Sequence, residues 1–503
     1  MQVDLLVIGG GVNGTGVAND AAGRGLQVLL CEQTDLAAAT SSNSSKLIHG
    51  GLRYLEHYEF RLVREALAER EVLLKNAPHI MWPLTFRLPH QAHLRPVWMI
   101  RFGLFLYDHL AKREKLHGSR KIRFGTDSPL NPSIKVGFEY ADGWVDDARL
   151  VILNALAAQN KGAHIRTQTR CIKAERKHGA WQVTLRDEKT AEQYTVTAKA
   201  IVNAAGPWVS QLFSDALTEP CPQHIRLVKG SHIVVPKLHD QPEAYILQNA
   251  DKRIVFVIPY ENAFSLIGTT DVEYQGDPRD VAIDNNEINY LLAISNQYFK
   301  RQLTTADIVH SYSGVRPLLD DESASAQSVT RDYKIEVSAN QGLLPLLSVF
   351  GGKITTYRKL AEAVVDKLQP YFPTLGPCLT AHEPLPGGDF SDDKQLLAQL
   401  QQLYPWLEAS LCQRFVRSYG TLTLQLLAGK HHVTDLGQRF TKDLWQAEVD
   451  YLVQHEWATT ADDILWRRSK LGLTCSSAEK AQLSAYLKMH PALQQHDAQA
   501  NIG

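Results

Sequence analysis

The chain of 503 residues lacks most of what would mark a specialised class. Lysine and arginine number 53 against 54 aspartates and glutamates, so it has no basic excess of the kind a nucleic-acid footprint leaves, and no nucleic-acid partner is expected. Its six cysteines, Cys31, Cys171, Cys221, Cys378, Cys412 and Cys475, stand far apart without a CxxC pair. That spacing writes neither a zinc site nor a dithiol motif, so no metal is expected and a reducing cytoplasm is the simpler home. No stretch approaches the roughly eighteen apolar residues of a membrane-spanning helix, which leaves surface attachment as the only membrane option. The opening "MQVDLLVIGGG" has no basic n-region or small-residue cleavage site and is expected not to be an export signal.

What is present starts with glycine. "DLLVIGGGVNGTGVANDAAGRGLQVLLCEQTD" reads as strand, glycine turn, helix, strand and acidic end, with Gly9, Gly11 and Gly14 at GxGxxG spacing and Glu32 after the second strand. The first glycine permits the turn, the second lets backbone approach a pyrophosphate, and the third allows close helix packing. The carboxylate can accept ribose hydroxyls. This predicts a dinucleotide site, for NAD or FAD alike.

Next, "TSSNSSKLIHGGLRYLEHYEF" places five hydroxyls and an amide between Thr40 and Ser45, then Lys46, His49, Gly50 and Gly51. Thr40, Ser41, Ser42, Ser45 and Lys46 suit hydrogen bonding to a cofactor. The double glycine would let backbone pass a flat ring. "AIVNAAGPWVS" carries Ala204 and Gly206, small enough to lie against an adenosine. "LLSVFGGKITTYRKLAEAVVDKL" repeats strand, double glycine and helix, bringing Gly352, Lys353 and Thr355 to the same ligand. A simple NAD domain has no need of a second glycine clamp, which favours FAD.

These segments, with "GWVDDARL" and "YSGVRPL", resemble the aerobic, respiratory FAD-dependent glycerol-3-phosphate dehydrogenase family over nearly the whole chain. The resemblance implies an α/β fold: a Rossmann-like FAD domain of the amino-acid-oxidase type, a β-sheet substrate cap and an α-helical C-terminal domain. The FAD-dependent part would span residues 1–385, with flavin segments near 1–75, 145–210 and 345–385 and cap segments near 76–144 and 211–344. The helical domain would follow at 386–503, after the linker "PLPGGDFSDDK". The implied reaction oxidises sn-glycerol 3-phosphate to dihydroxyacetone phosphate with electrons passed to a membrane quinone, at the cytoplasmic face of the inner membrane. A homodimer is left open.

A phosphorylated alcohol needs a hydride acceptor, a group to take the hydroxyl proton, and cations for the phosphoryl dianion. The resemblance implies that Arg53, Tyr54, Arg316, Arg331 and Lys353 line the substrate pocket. His232 in "KGSHIVV" and His49 in "IHGG" are the candidate bases, His232 facing substrate and His49 on the flavin side. "LRPVWMIRFGLFLYDHLAKREKL", residues 94–116, predicts an aromatic helix with Arg101, Asp108, Lys112 and Lys115 near one face, suited to anionic lipid. A soluble oxidase using dioxygen and a non-catalytic flavin-binding module are the competing functions.

Overall fold

The computed structural model describes residues 1–52, 55, 59–91, 94–217, 219–249, 253–320, 332–340 and 342–494. In chain order the elements are β1 (Gln2–Ile8), α1 (Val12–Gly23), β2 (Val28–Cys31), β3 (Leu47–Ile48), α2 (Phe60–Asn76), β4 (Met81–His90), α3 (Val97–His109), β5 (Arg120–Arg123), β6 (Val136–Val145), α4 (Asp147–Asn160), β7 (His164–Arg166), β8 (Thr169–Lys177), β9 (Ala180–Asp187), β10 (Gln193–Asn203) and α5 (Val209–Leu212). There follow β11 (Ile225–Pro236), β12 (Ala244–Gln248), β13 (Ile254–Tyr260), β14 (Phe264–Gly268), β15 (Val272–Glu273), α6 (Asn285–Tyr298), β16 (His310–Leu319), β17 (Tyr333–Asn340), β18 (Leu343–Gly351) and α7 (Tyr357–Asp366). The last part is helical: α8 (Asp393–Leu403), α9 (Ala409–Tyr419), α10 (Thr423–Leu426), α11 (Gln446–His455) and α12 (Ser477–Lys488).

Apolar runs such as Leu5–Ile8 and Val28–Cys31 are buried on both faces, as strands of a parallel sheet must be. They form the first sheet, ordered β17-β18-β10-β1-β2-β7, with the β8–β9 hairpin added beside β10. One face is covered by α1, α4 and α7, the other by the hairpin and Phe213–Leu217. β17 pairs antiparallel to β18, so the nucleotide sheet begins before residue 345.

The second sheet alternates. It is ordered β15-β11-β14-β13-β12-β4-β6-β3, with β16 on β11 and β5 on β6. On β11, Ile233 and Val235 pack toward α6, whereas Val234 joins Leu266 and Phe86 on the opposite face, beneath α3. Period-two alternation thus sends His232 to the face away from α6. "RIVFVIPYENAFSLIG" forms the expected strand pair, its turn carried by Glu261 and Asn262 at φ of 43° and 60°.

The aromatic helix is shorter than the 94–116 segment. It starts after Pro96 and ends at His109, so Lys112 and Lys115 lie beyond it, and Lys115 Nζ donates to the Leu74 carbonyl at 3.2 Å. The C-terminal helices have their own core and dock on the flavin domain through buried ion pairs, among them Arg149 with Glu456, and Asp35 with Arg467 and Arg468.

Candidate active site

A cavity of about 740 Å³ opens at the carboxyl ends of β1, β2, β10 and β18 and beneath the second sheet. Carboxyl ends of parallel strands are where an open α/β sheet takes its ligand. Gly9 has φ of 113°, and a Cβ there would lie 2.5 Å from the Ala204 carbonyl oxygen; a Cβ on Gly14 would lie 1.9 Å from the Gly9 oxygen. Only glycine lets the turn close and α1 settle on it. The first turn of α1 carries no acidic residue, so its N-terminus is open to an anion. Glu32 accepts Gly10 N–H at 2.7 Å and the Thr34 amide and hydroxyl at 2.9 and 3.0 Å. Burial raises its pKa while those donors lower it.

Gly9, Gly11, Glu32, Thr40, Ser41, Ser45, His49, Gly51, Ala204, Gly206, Gly352 and Lys353 line this one cavity. They fit an elongated dinucleotide: glycine backbone for pyrophosphate, a carboxylate for ribose, and small residues for the rings. Four expectations are corrected. Lys46 is 1% exposed and bound to Asp147 at 2.7 Å and to the Ser42 carbonyl at 3.0 Å, so it fastens the loop to α4 and does not line the cavity. Ser42 donates to the Ala39 carbonyl and stands outside the lining. Gly50 is needed for packing: a Cβ would meet Leu67 at 2.5 Å and the Tyr107 hydroxyl at 2.8 Å. Thr355 also lies outside the lining, its hydroxyl 3.2 Å from the His49 amide. Arg53, Tyr54 and Arg331 fall outside the described residues.

At the far side, β11 and β16 pair so that Val228 faces Arg316 and His232 faces Tyr312. The Arg316 guanidinium pairs with Asp271 and donates to the Thr269 hydroxyl at 2.8 Å. His232 Nε2 lies 2.9 Å from the Ser45 hydroxyl, and its ring stacks on Tyr312 at 4.8 Å. Gly268 makes room for that ring, because a Cβ would fall 2.1 Å from His232 Cδ2. Burial, with Arg316 and Lys46 adding positive charge, drives the His232 pKa well below its usual range. Burial, Lys353 and Arg70 do the same to His49. Both imidazoles are therefore neutral and able to accept a proton. Lys353 Nζ donates to the His49 carbonyl at 2.7 Å, which joins the second glycine clamp to the first loop.

Sequence reasoning missed Asp271 and Thr269, the partners of Arg316, and Asp147, which anchors Ser44 and Lys46. The signal for the first pair was the polar break "GTTD" at the end of an apolar strand. Asp147 stood in the quoted "GWVDDARL" with no local cue to its partners.

Residues 4–358 match the model of the FAD dependent oxidoreductase family, and residues 378–500 match that of the C-terminal domain of alpha-glycerophosphate oxidase. A glycerol-3-phosphate dehydrogenase of Pseudomonas aeruginosa is 58% identical, covering 97% of this chain and 96% of its own. The aerobic glycerol-3-phosphate dehydrogenase of Escherichia coli is 57% identical, covering 96% and 97%. The X-ray structure of the Bacillus halodurans glycerol-3-phosphate dehydrogenase complexed with FAD is 27% identical, with a TM-score of 0.73 over 97% of this chain and 94% of that one.

Proposed function

The chain belongs to the FAD-dependent glycerol-3-phosphate dehydrogenase family, and from that premise we propose that it oxidises sn-glycerol 3-phosphate to dihydroxyacetone phosphate and delivers the electrons to a membrane quinone. One observation carries the reading. A dinucleotide cradle, a second glycine clamp, two neutral imidazoles and the cations Arg316 and Lys353 all line a single cavity.

FAD, when bound, supplies the hydride acceptor. Arg316 and Lys353 offer charge to the phosphoryl group, and Arg53, Tyr54 and Arg331 are assigned the same pocket. Asp271 keeps the Arg316 fork oriented and restrains it before substrate arrives. His232 accepts the hydroxyl proton, its ring fixed by the Ser45 hydroxyl and the Tyr312 face. His49 stays on the flavin side, its backbone held by Lys353.

The membrane part rests on α3. Trp98 is 67% and Phe102 57% exposed, with Met99 and Phe105 beside them, while Leu104 and Tyr107 are buried on the inner face. Among the described residues no helix is long and apolar enough to cross a membrane, so α3 would lie in the headgroup plane with Arg101 near anionic lipid. The peripheral site at the cytoplasmic face follows from this. A second reading, a soluble oxidase using dioxygen, is favoured by the C-terminal match to alpha-glycerophosphate oxidase.

Anaerobic mixing of the FAD-loaded protein with sn-glycerol 3-phosphate should bleach the flavin absorbance, and glycerol should not. A flavin that stays yellow overturns the substrate. In air, stoichiometric peroxide without flotation on anionic vesicles would replace the quinone reading with the oxidase.

A further inference from the structure

The cavity is chemically two-sided, and only one side suits a phosphorylated triol. Strand register lays a row of side chains across the second sheet: His232 opposite Gly268, Gly268 opposite Phe256, and Phe256 opposite Ile246. Ala244 pairs with Phe86, and Phe86 with Tyr140, so the row continues on the same face through β4 to β6. At its β11–β16 end stand His232, Arg316, Thr269 and Asp271. At the other end Phe256, Ile254, Ile246, Leu88 and Tyr140 line the same cavity, with Gln248 as the amide among them.

A three-carbon polyol phosphate has no apolar surface to place against that end. Apolar lining with one polar group is the composition that orients an apolar ligand. The arm also leads toward a particular place. Ring centroids step from His49 to Phe256 at 6.4 Å, to Phe86 at 6.1 Å, to Tyr140 at 5.6 Å and to Tyr107 of α3 at 5.7 Å. Leu88, Ile246, Leu104 and Tyr107 belong to one apolar cluster, with Ile254, Phe256, Val97 and Ile100 packed against it. The lining of the arm is thus continuous with the inner face of the helix whose outer face bares Trp98 and Phe102.

We propose that this apolar arm, lined by Leu88, Tyr140, Ile246, Ile254 and Phe256, is the seat of the quinone headgroup, opposite the phosphate end of the same cavity. The assignment rests on the quinone reading above and adds the location. Gln248 offers its amide N–H₂ to a quinone carbonyl. The step balances as a two-electron, two-proton transfer: the quinone becomes quinol while the enzyme's reduced cofactor returns to its oxidised form.

The test uses FAD-loaded protein and decylubiquinone as the probe. Ile254→Trp fills the arm, Leu88→Phe narrows it from another strand, and Ile254→Ala widens it. The first two should lower quinone-dependent turnover about tenfold or more, the discrimination a pocket's shape can supply, and Ile254→Ala should not. Equilibrium dialysis of decylubiquinone against the oxidised protein should show the same loss of binding. Anaerobic bleaching by glycerol 3-phosphate, turnover with phenazine methosulfate and FAD content should stay at wild-type levels. A wild-type protein that reduces quinone, with Ile254→Trp and Leu88→Phe equally active, overturns the site alone. Loss of FAD or a parallel fall with the dye also overturns it, since the arm would then seat the cofactor itself. A wild-type protein that reduces no quinone removes the functional reading and this site with it.

Discussion

The Tyr107 phenol oxygen lies 2.8 Å from the Gly50 amide nitrogen and 2.8 Å from both carboxylate oxygens of Asp142. It accepts from the first and donates to the second, while Arg70 Nη1 closes on Asp142 at 2.5 Å. Through this one hydroxyl, α3 holds the His49–Gly51 loop against the cavity. Tyr107→Phe keeps the ring but leaves the buried Gly50 N–H without its acceptor and removes a donor to Asp142. The expected loss is about 1–3 kcal/mol of stability, together with weaker FAD retention. Calorimetry and flavin release on dilution check this; a variant with unchanged melting temperature and FAD affinity would sink it.

Arg316 is the cation whose role separates most sharply from structure. Arg316→Ala should lower kcat/KM for glycerol 3-phosphate by more than tenfold, on the order of 2–5 kcal/mol for a desolvated charge pair, with most of the change in KM. Part of that loss is Asp271, left facing the phosphate as an uncompensated negative charge. The double variant Arg316→Ala, Asp271→Asn should therefore recover some affinity. A double variant no better than the single one would show that Asp271 does not face the substrate.

Local features were legible and distant pairings were not. Gly9, Gly11, Gly14 and Glu32 could be read because turn, helix start and acidic end lie within one βαβ unit and each position has its own steric or charge requirement. His232 could be read from a glycine turn opening an apolar strand, where alternation fixes the face. Lys46 and Gly50 were misassigned because their partners, Asp147 and Tyr107, are 101 and 57 residues away in sequence. Lys46 borrowed its assigned role from the serines beside it, and Gly50 from the glycine after it. The apolar arm was invisible for the same reason, since it takes single residues from four strands.

Acid should destabilise the protein through histidines buried neutral. His79 is 2% exposed, and burial with Arg149 nearby lowers its pKa from 6.5 to about 3. Burial lowers His239 to about 4. Below pH 6.5 the unfolded chain binds protons that the folded chain does not, so stability falls as pH drops from 6.5 toward 3. The melting temperature should decline through this window, and His79→Phe should flatten the slope whatever it does to the absolute value at pH 7. An unchanged slope would mean that His79 takes its proton in the folded state.

Asp35 ties the helical domain to the flavin loop. It follows Glu32 by three residues, is 3% exposed, and receives Arg467 Nε at 2.5 Å and Arg468 through both Nη1 and Nη2, the latter at 2.9 Å. Between Arg467 and the cap, Trp466 stacks on His310 at 4.0 Å, so one helical segment grips the nucleotide loop and the strand that carries Arg316. The two arginines are not equivalent. Arg467 also pairs with Asp463, whereas Arg468 is fully buried and donates further to the Glu456 carbonyl. Arg467→Ala should cost little, because Arg468 still satisfies Asp35. Asp35→Ala strands two guanidinium groups, one of them without solvent, and should cost about 3–5 kcal/mol. Because Gln33, Thr34 and Ala37 to Ala39 line the cavity, the same change should loosen FAD before the helical domain unfolds. Urea titrations followed by flavin fluorescence and by far-ultraviolet dichroism would separate the two events; coincident transitions at wild-type urea concentration would show that the clamp bears on neither.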